Sequence, residues 1–587
     1  MSKVSNGERK DIERALSLRR QLTEARLTKR ELLKELGLAA GALLGLPPNK
    51  SFARALLPQV LGRDKGQGDD HGGGGSVSPP TTPFVDPLPI APIAQPVSRL
   101  SPAPRADPLP GEARTATHQR WNEFLPRTLY EVHVKEAQHR FHSTDLPPNT
   151  IWGFDGLVPG PTFHARYGEP ILVRRFNDLP ANHVGFGIPQ ISTHLHNGHT
   201  PTESDGFPGD FFNSGLFYDY HYPNILAGFD EFPATQGDPR EALGTLWYHD
   251  HRFDFTAQNA YKGLAGVYIL FDNQDSGDET DPHPDAFRLP SGEFDVPMLF
   301  NDRVFDSNGQ LFFDLFNLDG ILGDKFLVNG QIQPFFRVAR RKYRFRFVNG
   351  GPSRFYEFFL SNGQPFIQIA NDGNLLQAPL PHQTSVRLGV AERADVIVDF
   401  STAKIGDQIF LQNRLEQTSG RGPTGNILNP GTSILRFDVT AAAFDPSRVP
   451  ATLRQLPPVN MNDVVATRPW RFERTHGAWA INGEFFDVNT VRASPKRGTA
   501  EVWVLQNHSG GWQHPIHIHF EEFRILSRNG APPPPNEVAR KDVVRLQFNE
   551  EVRLFMRFRD FVGRYPIHCH NLVHEDHRMM ARWDIVP

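Results

Sequence analysis

HCHNLVHEDHRMM, residues 568–580, holds the only cysteine of a 587-residue chain and frames it with two histidines. Successive side chains of a strand point to opposite faces, so a strand here turns Cys569 away from His568 and His570. A single cysteine excludes an intrachain disulfide, and any thiolate chemistry must run through Cys569. A lone buried cysteine is ordinarily an inert small hydrophobe. A thiolate joined by two imidazoles and a weak axial thioether is instead the ligand set of a blue electron-transfer copper. His574 follows Cys569 by five positions and Met579 by ten, and two of the six methionines stand at 579–580.

The histidine pattern separates these readings. Of 24 histidines, ten fall in four clusters: HLH (194–196), HDH (249–251), HPIHIH (514–519) and HCHNLVH (568–574). On a strand, residues i and i+2 share a face about 7 Å apart, so each HxH aims two imidazoles into one pocket and can serve two neighbouring ions. One such pair is commonplace. Burying four pairs without metal carries a heavy desolvation cost, and imidazole suits copper, zinc, iron and nickel. Between His251 and His514 stand only the isolated His283, His382, His476 and His508. The ligands thus come from the two ends of the chain, which predicts a cluster in the cleft between them with the middle as spacer.

Around these clusters the chain reads as β structure. The chain has 50 glycines, 51 prolines and 46 phenylalanines, with few long helical patterns after residue 113; turn formers alternating with aromatic runs indicate strands. YRFRFV (343–348) and VRLFMRFR (552–559) alternate apolar and charged residues, the period of half-buried strands. WGFDGLVPGPTF (152–163), FLVNGQIQPFF (326–336) and WAINGEFFDVN (479–489) each carry an Asp/Asn-Gly turn at Gly156, Gly330 or Gly483. Each is followed about twenty residues later by a strand ending in Asn177, Asn349 or Asn507. Asp-Gly and Asn-Gly suit tight hairpins because both residues tolerate positive φ. Three copies predict three similar β units with boundaries near 275 and 445. A net charge of −4 favours no polyanionic partner, so nucleic acid is excluded.

The four motifs together resemble the multicopper oxidases, over roughly residues 113–587. HLHNGHTPTESDG and LWYHDH are most similar to the bacterial spore-coat laccase branch, related to bilirubin oxidases and phenoxazinone synthases. The resemblance implies an all-β fold of three cupredoxin-like Greek-key β-barrel domains at 113–275, 276–444 and 445–587, the last carrying type 1 copper. It implies four coppers. His514, Cys569, His574 and Met579 would bind type 1, and His194 and His517 type 2. His196, His249, His251, His519, His568 and His570 would hold the type 3 pair. Asp205 in TESDG and Glu575 in HED match acids that deliver protons for O2 reduction, which consumes four. His199 and His577 match no ligand position and read as structural.

The implied activity is laccase-like: one-electron oxidation of phenols, aminophenols or bilirubin-like donors coupled to four-electron reduction of O2 to water. The partners are O2 and a small reducing substrate. Relatives that oxidise Cu(I) carry methionine-rich segments, since thioether is a soft ligand; Met1, Met298, Met461, Met556, Met579 and Met580 form none, which disfavours a cuprous or other metal-ion oxidase. A copper nitrite reductase needs no type 3 pair. A non-enzymatic cupredoxin scaffold used for binding would lack ligands, and all twelve are present. The Gly/Pro-rich stretch QTSGRGPTGNILNPGT (417–432) reads either as the border of a substrate opening or as a connector.

Residues 1–55 read as an export signal: TKRELLK (28–34), the apolar LGLAAGALLGL (36–46) and the small residues of SFARA (51–55) follow the order basic, apolar, cleavable. TKRELLK is similar to a twin-arginine signal with Lys29 replacing the first arginine. The expected location is periplasm or cell envelope, with cytoplasm as the alternative. Eleven apolar residues are too few to span a bilayer. Residues 56–112 read as a Gly/Ser/Pro-rich linker and extended arm on the surface.

Overall fold

The computed structural model describes residues 78–587; the export-like segment and most of the glycine-rich linker lie outside them. Three two-sheet units follow one another. Their strands run from Thr128 to Phe271, from Asp295 to Ala442 and from Val464 to Ile585.

The repeated motif builds each unit the same way. Thr128–His139 pairs antiparallel with Asn149–Phe154 and parallel with Ile171–Asn177. Asp295–Phe305 does the same with Lys325–Val328 and Lys342–Asn349, and Val464–Thr475 with Ala478–Ile481 and Ala500–Asn507. At the turns, Asp155 and Gly156 have φ of 55° and 71°, Asn329 and Gly330 49° and 78°, Asn482 and Gly483 52° and 77°. Glycine is needed second because the left-handed region repels a Cβ. The Asp155, Asn329 and Asn482 side-chain oxygens accept from the backbone N–H of His133, Leu299 and Arg471 at 2.8, 2.8 and 2.7 Å. The strand-ending asparagines also repeat one role. Asn177 donates Nδ2 to the carbonyls of Pro189 and Phe212, Asn349 to Arg354 and Leu388, Asn507 to Trp512 and Gln547.

In each unit the second sheet closes the core. In the first it is Gly160–Arg166, Ala265–Phe271, Thr245–Asp250 and Thr193–His196; in the third it is Val491–Ala493, Met580–Ile585, Gly563–Cys569, His514–Ile518 and Val543–Leu546. Two histidine clusters lie on or just past the ends of each of these sheets. Alternation along Lys342–Asn349 puts Tyr343, Phe345 and Phe347 in the middle core. The opposite face is buried too, against expectation, because Arg344 pairs with Asp275 and Asp395, and Arg346 with Asp295. Charged residues tolerate such burial only when paired.

The arm stitches units together. Phe84 and Leu88 donate backbone N–H groups to Gln333 and Phe335 of the middle unit; Ala94 and Val97 donate to Thr162 and Leu129 of the first. Leu88 joins the middle core. Farther on, Gln119 donates its backbone N–H and Nε2 to Glu203 at 2.6 and 3.0 Å, and Nε2 also to the Val562 carbonyl of the third unit.

Units one and three are clamped by Glu241, which accepts from Arg559 at 2.7 Å through both oxygens and from Arg540 at 3.2 Å. Burial pushes the Glu241 carboxyl up, but the two guanidinium groups outweigh it and bring it down to about 2. A depressed folded value contributes stability that is complete above the unfolded value of about 4.3 and is lost as pH falls toward the folded one. Glu241→Gln is expected to cost about 1.5–3 kcal/mol at neutral pH, since Arg559 and Arg540 lose this charged partner but keep Glu521 and Glu522. Denaturant unfolding from neutral pH down to about pH 2 checks this; the difference between variant and parent should shrink across the acid range.

Candidate metal centre

Backbone register brings distant histidines together. His194 stands opposite His249 across the first-unit sheet, and His517 opposite His568 across the third. Ile516 stands opposite Cys569, so the thiol points into the third-unit core while its neighbours point at the first unit.

On the core side, Cys569 Sγ lies 3.4 Å from His514 Nδ1 and 3.5 Å from His574 Nδ1, and those nitrogens are 3.2 Å apart. Each ring is fixed from behind. His514 Nε2 meets Ser509 Oγ at 2.9 Å. His574 Nε2 donates to the Asp319 carbonyl at 2.9 Å, which leaves its Nδ1 a lone pair facing the sulfur. Trp479 packs on the His574 ring with centroids 4.0 Å apart. The Cys569 and Met579 backbones are hydrogen-bonded, Met579 bonds back to His574, and Met579 is wholly buried in the same core. Burial pushes the thiol well above its usual range and His514 down to about 3.

On the other face eight imidazoles converge. His251, His519 and His568 form a triangle of Nε2 atoms at 3.1, 3.2 and 3.2 Å. His196, His249 and His570 form a second triad, and His194 Nε2 meets His517 Nε2 at 3.3 Å. Each triad mixes units: one first-unit and two third-unit histidines in the former, the reverse in the latter. Burial holds His194, His196, His251, His517, His519 and His570 well below the ordinary imidazole range, and His249 at about 4, so these rings are neutral.

Ring nitrogens packed this closely, on imidazoles whose outward nitrogens meet oxygens, suit metal. His249 Nε2 and both His570 nitrogens are buried without a hydrogen-bond partner. Separations of 3.1–3.3 Å are those of nitrogens sharing one ion at about 2.0 Å. The outward nitrogens are held by oxygens: His194 Nδ1 by the Asp205 carbonyl at 2.6 Å, His249 Nδ1 by Asp250 at 2.9 Å, His517 Nδ1 by Asp542 at 2.9 Å. Such partners set ring orientation and ligand basicity.

Asp205 and Glu575 both reach this centre. Asp205 Oδ2 accepts from His519 Nδ1 at 2.8 Å, and Glu575 lies between His251 Nδ1 and His568 Nδ1, 3.2 Å from each. His199 and His577 do not join it. His199 Nε2 meets Asp560 at 2.8 Å and its ring stacks on Phe520, and His577 Nδ1 donates to the Val573 carbonyl.

Comparison with known proteins agrees with this geometry. The multicopper oxidase family profile matches residues 457–587. A laccase of Bacillus subtilis (strain 168) is 35% identical over 520 residues, covering 78% of this chain and 94% of that protein. A bilirubin oxidase of Albifimbria verrucaria is 37% identical over 524 residues, covering 86% and 82%. The crystal structure of the multicopper oxidase McoA from Aquifex aeolicus superposes with a TM-score of 0.66 at 26% identity, covering 79% of this chain and 97% of that one.

The chain is a multicopper oxidase.

It is therefore a copper-dependent oxidoreductase with O2 as acceptor, built on cupredoxin-like domains. Among the described residues of the oxidase, no helix is long and apolar enough to cross a membrane. The middle unit supplies no histidine to these clusters, but it is more than a spacer. Its Asp319 carbonyl holds His574, and its Ser353 Oγ donates to Asn571 Oδ1 at 2.9 Å. The 417–432 stretch is likewise no free connector: the Gly420 carbonyl accepts from Asn571, and Arg421 lies over Trp512.

Sequence reasoning missed Asp542 of the oxidase, whose Oδ2 lies 2.8 Å from His196 Nε2. Its one signal was an acid inside the apolar run KDVVRL (541–546). Asp319, Ser353 and Ser509 gave none.

Proposed function

We propose that the oxidase is laccase-like, takes electrons singly from phenols, aminophenols or bilirubin-like donors, and binds about four coppers. The observation that carries this is the strand Gly563–Cys569 with His570 beyond it: one sulfur site and both triads meet on three consecutive residues. In this reading His514, Cys569, His574 and Met579 hold type 1 copper, His194 and His517 type 2, and the two triads the type 3 pair. Bound copper supplies one-electron redox chemistry at Cys569 and O2 binding and reduction at the eight histidines.

The chain's own residues do the rest. The backbone from Cys569 to His568 and His570 is the shortest covalent connection between the two sites. All twelve side chains are fully buried, so bulk water is excluded and protons must be delivered by groups such as Asp205 and Glu575. Donors lose electrons through an edge of His514 or His574, the latter covered by the Asp319 carbonyl and Trp479. Met461 is the one exposed methionine among the described residues, which leaves Cu(I) without a thioether cluster to dock on.

O2 consumption tests the reading, with phenols, aminophenols, bilirubin and Cu(I) offered in turn. Faster consumption with the organic donors supports it, and consumption with Cu(I) alone overturns it. Copper analysis should give about four ions per chain. We also propose twin-arginine-type export, supported by TKRELLK and LGLAAGALLGL; Arg30→Lys is expected to retain the protein in the cytoplasmic fraction.

A further inference from the structure

His194 Nε2 meets His517 Nε2 at 3.3 Å, and the reading above leaves them as a pair because His196, which lies within reach of both, is assigned to the second triad. An ion with two protein ligands depends most on how rigidly those ligands are aimed. His194 is braced within its own unit by the Asp205 carbonyl. His517 is braced by the Asp542 carbonyl, so its aim is only as good as the placement of Asp542.

That placement comes from the middle unit. Arg393 Nη1 donates to Asp542 Oδ1 at 2.7 Å. The residues on either side of Asp542 are tied to Asp372 of the middle unit: Lys541 Nζ at 2.7 Å and the Val543 backbone N–H at 3.3 Å. Asp372 in turn accepts from the Arg393 backbone N–H at 3.0 Å. The guanidinium also reaches the Thr245 carbonyl at 3.3 Å through Nε, the first residue of the strand that carries His249. Arg393 is buried at 1% exposure, so its hydrogen bonds are not shared with solvent. A planar guanidinium can hold both groups in fixed directions; a lysine ammonium cannot.

We propose that Arg393 is the positioning residue that retains the ion shared by His194 and His517, acting through Asp542 on His517. Its role rests on the reading above that those two histidines hold type 2 copper. The middle unit then fixes the weakest metal position of a centre to which it gives no ligand.

The test uses the copper-loaded full chain with Arg393→Met and Arg393→Lys, and Asp542→Asn should the first fail to fold. Readouts are the type 2 electron paramagnetic resonance signal, copper per chain, blue absorbance and copper release to a chelator. Arg393→Met is expected to keep the blue absorbance and to lose type 2 signal by about 10-fold or more, within the about 10–100-fold loss usual when a partner of a metal ligand is removed. Arg393→Lys should fall between, and Asp542→Asn should resemble Arg393→Met. An undiminished type 2 signal with unchanged release overturns the proposal, as does parallel loss of blue and type 2 signals, which marks a merely structural role. A parent protein with no type 2 signal refutes the underlying site reading instead.

Discussion

Cys569→Ser is expected to bleach the protein and reduce donor oxidation to the assay background while O2-site copper remains. Serine offers a hard alkoxide or hydroxyl in place of the soft thiolate that gives the intense blue band. His514 and His574 keep their outward bonds to Ser509 and Asp319, so the fold around them should persist. The eight imidazoles on the opposite face lose nothing, and the variant should carry about three ions rather than about four. A second measurement separates ligand loss from misfolding. Burial keeps the metal-free thiol protonated, so loading the parent protein must expel that proton, and proton release during copper addition should fall in the variant. A variant that stays blue would remove Cys569 from the electron path.

Asp205→Asn should slow turnover by about 10²–10⁴-fold, the usual worth of a positioned proton donor, with copper content intact. Asparagine keeps an oxygen to accept from His519 Nδ1, now held at 2.8 Å by Asp205 Oδ2, but carries no transferable proton. Burial raises the Asp205 carboxyl well above the ordinary range, and Asp210 adds to the rise. A raised value means the proton is retained at pH where a surface aspartate has lost it, and leaves only on the alkaline side. The parent rate should therefore fall as pH rises through that value, and the variant should show a low rate without this limb. Asp205→Ala should also weaken metal binding, by about 10–100-fold, because His519 loses its orienting oxygen. Full activity in Asp205→Asn would assign proton delivery elsewhere.

The parts of the molecule legible in sequence are those written at short range. HLH and HDH announce paired imidazoles because two-residue spacing fixes their common face. Asp155-Gly156, Asn329-Gly330 and Asn482-Gly483 announce hairpins because their φ values restrict the residues allowed. The distribution of histidines into triads was not legible, since His196 and His249 meet His570 only after two units dock. Asp542 was hidden for the same reason: its partners Arg393 and His196 are 149 and 346 positions away, and the acid in KDVVRL is its one local mark. Arg344 and Arg346 misled in the opposite direction, since their carboxylate partners at Asp275, Asp295 and Asp395 make a charged face compatible with burial.

The docking of the arm sets an order of synthesis. Leu88 packs into a core that includes Phe437 and Val439, and its backbone bonds to Phe335, whose strand pairs with Arg436. A ribosome delivers residue 88 long before residue 437, and domains fold in the sequence in which they emerge. Ala94 and Val97 can settle on Thr162 and Leu129 as the first unit forms, but the Leu88 end must wait while some 350 further residues are translated.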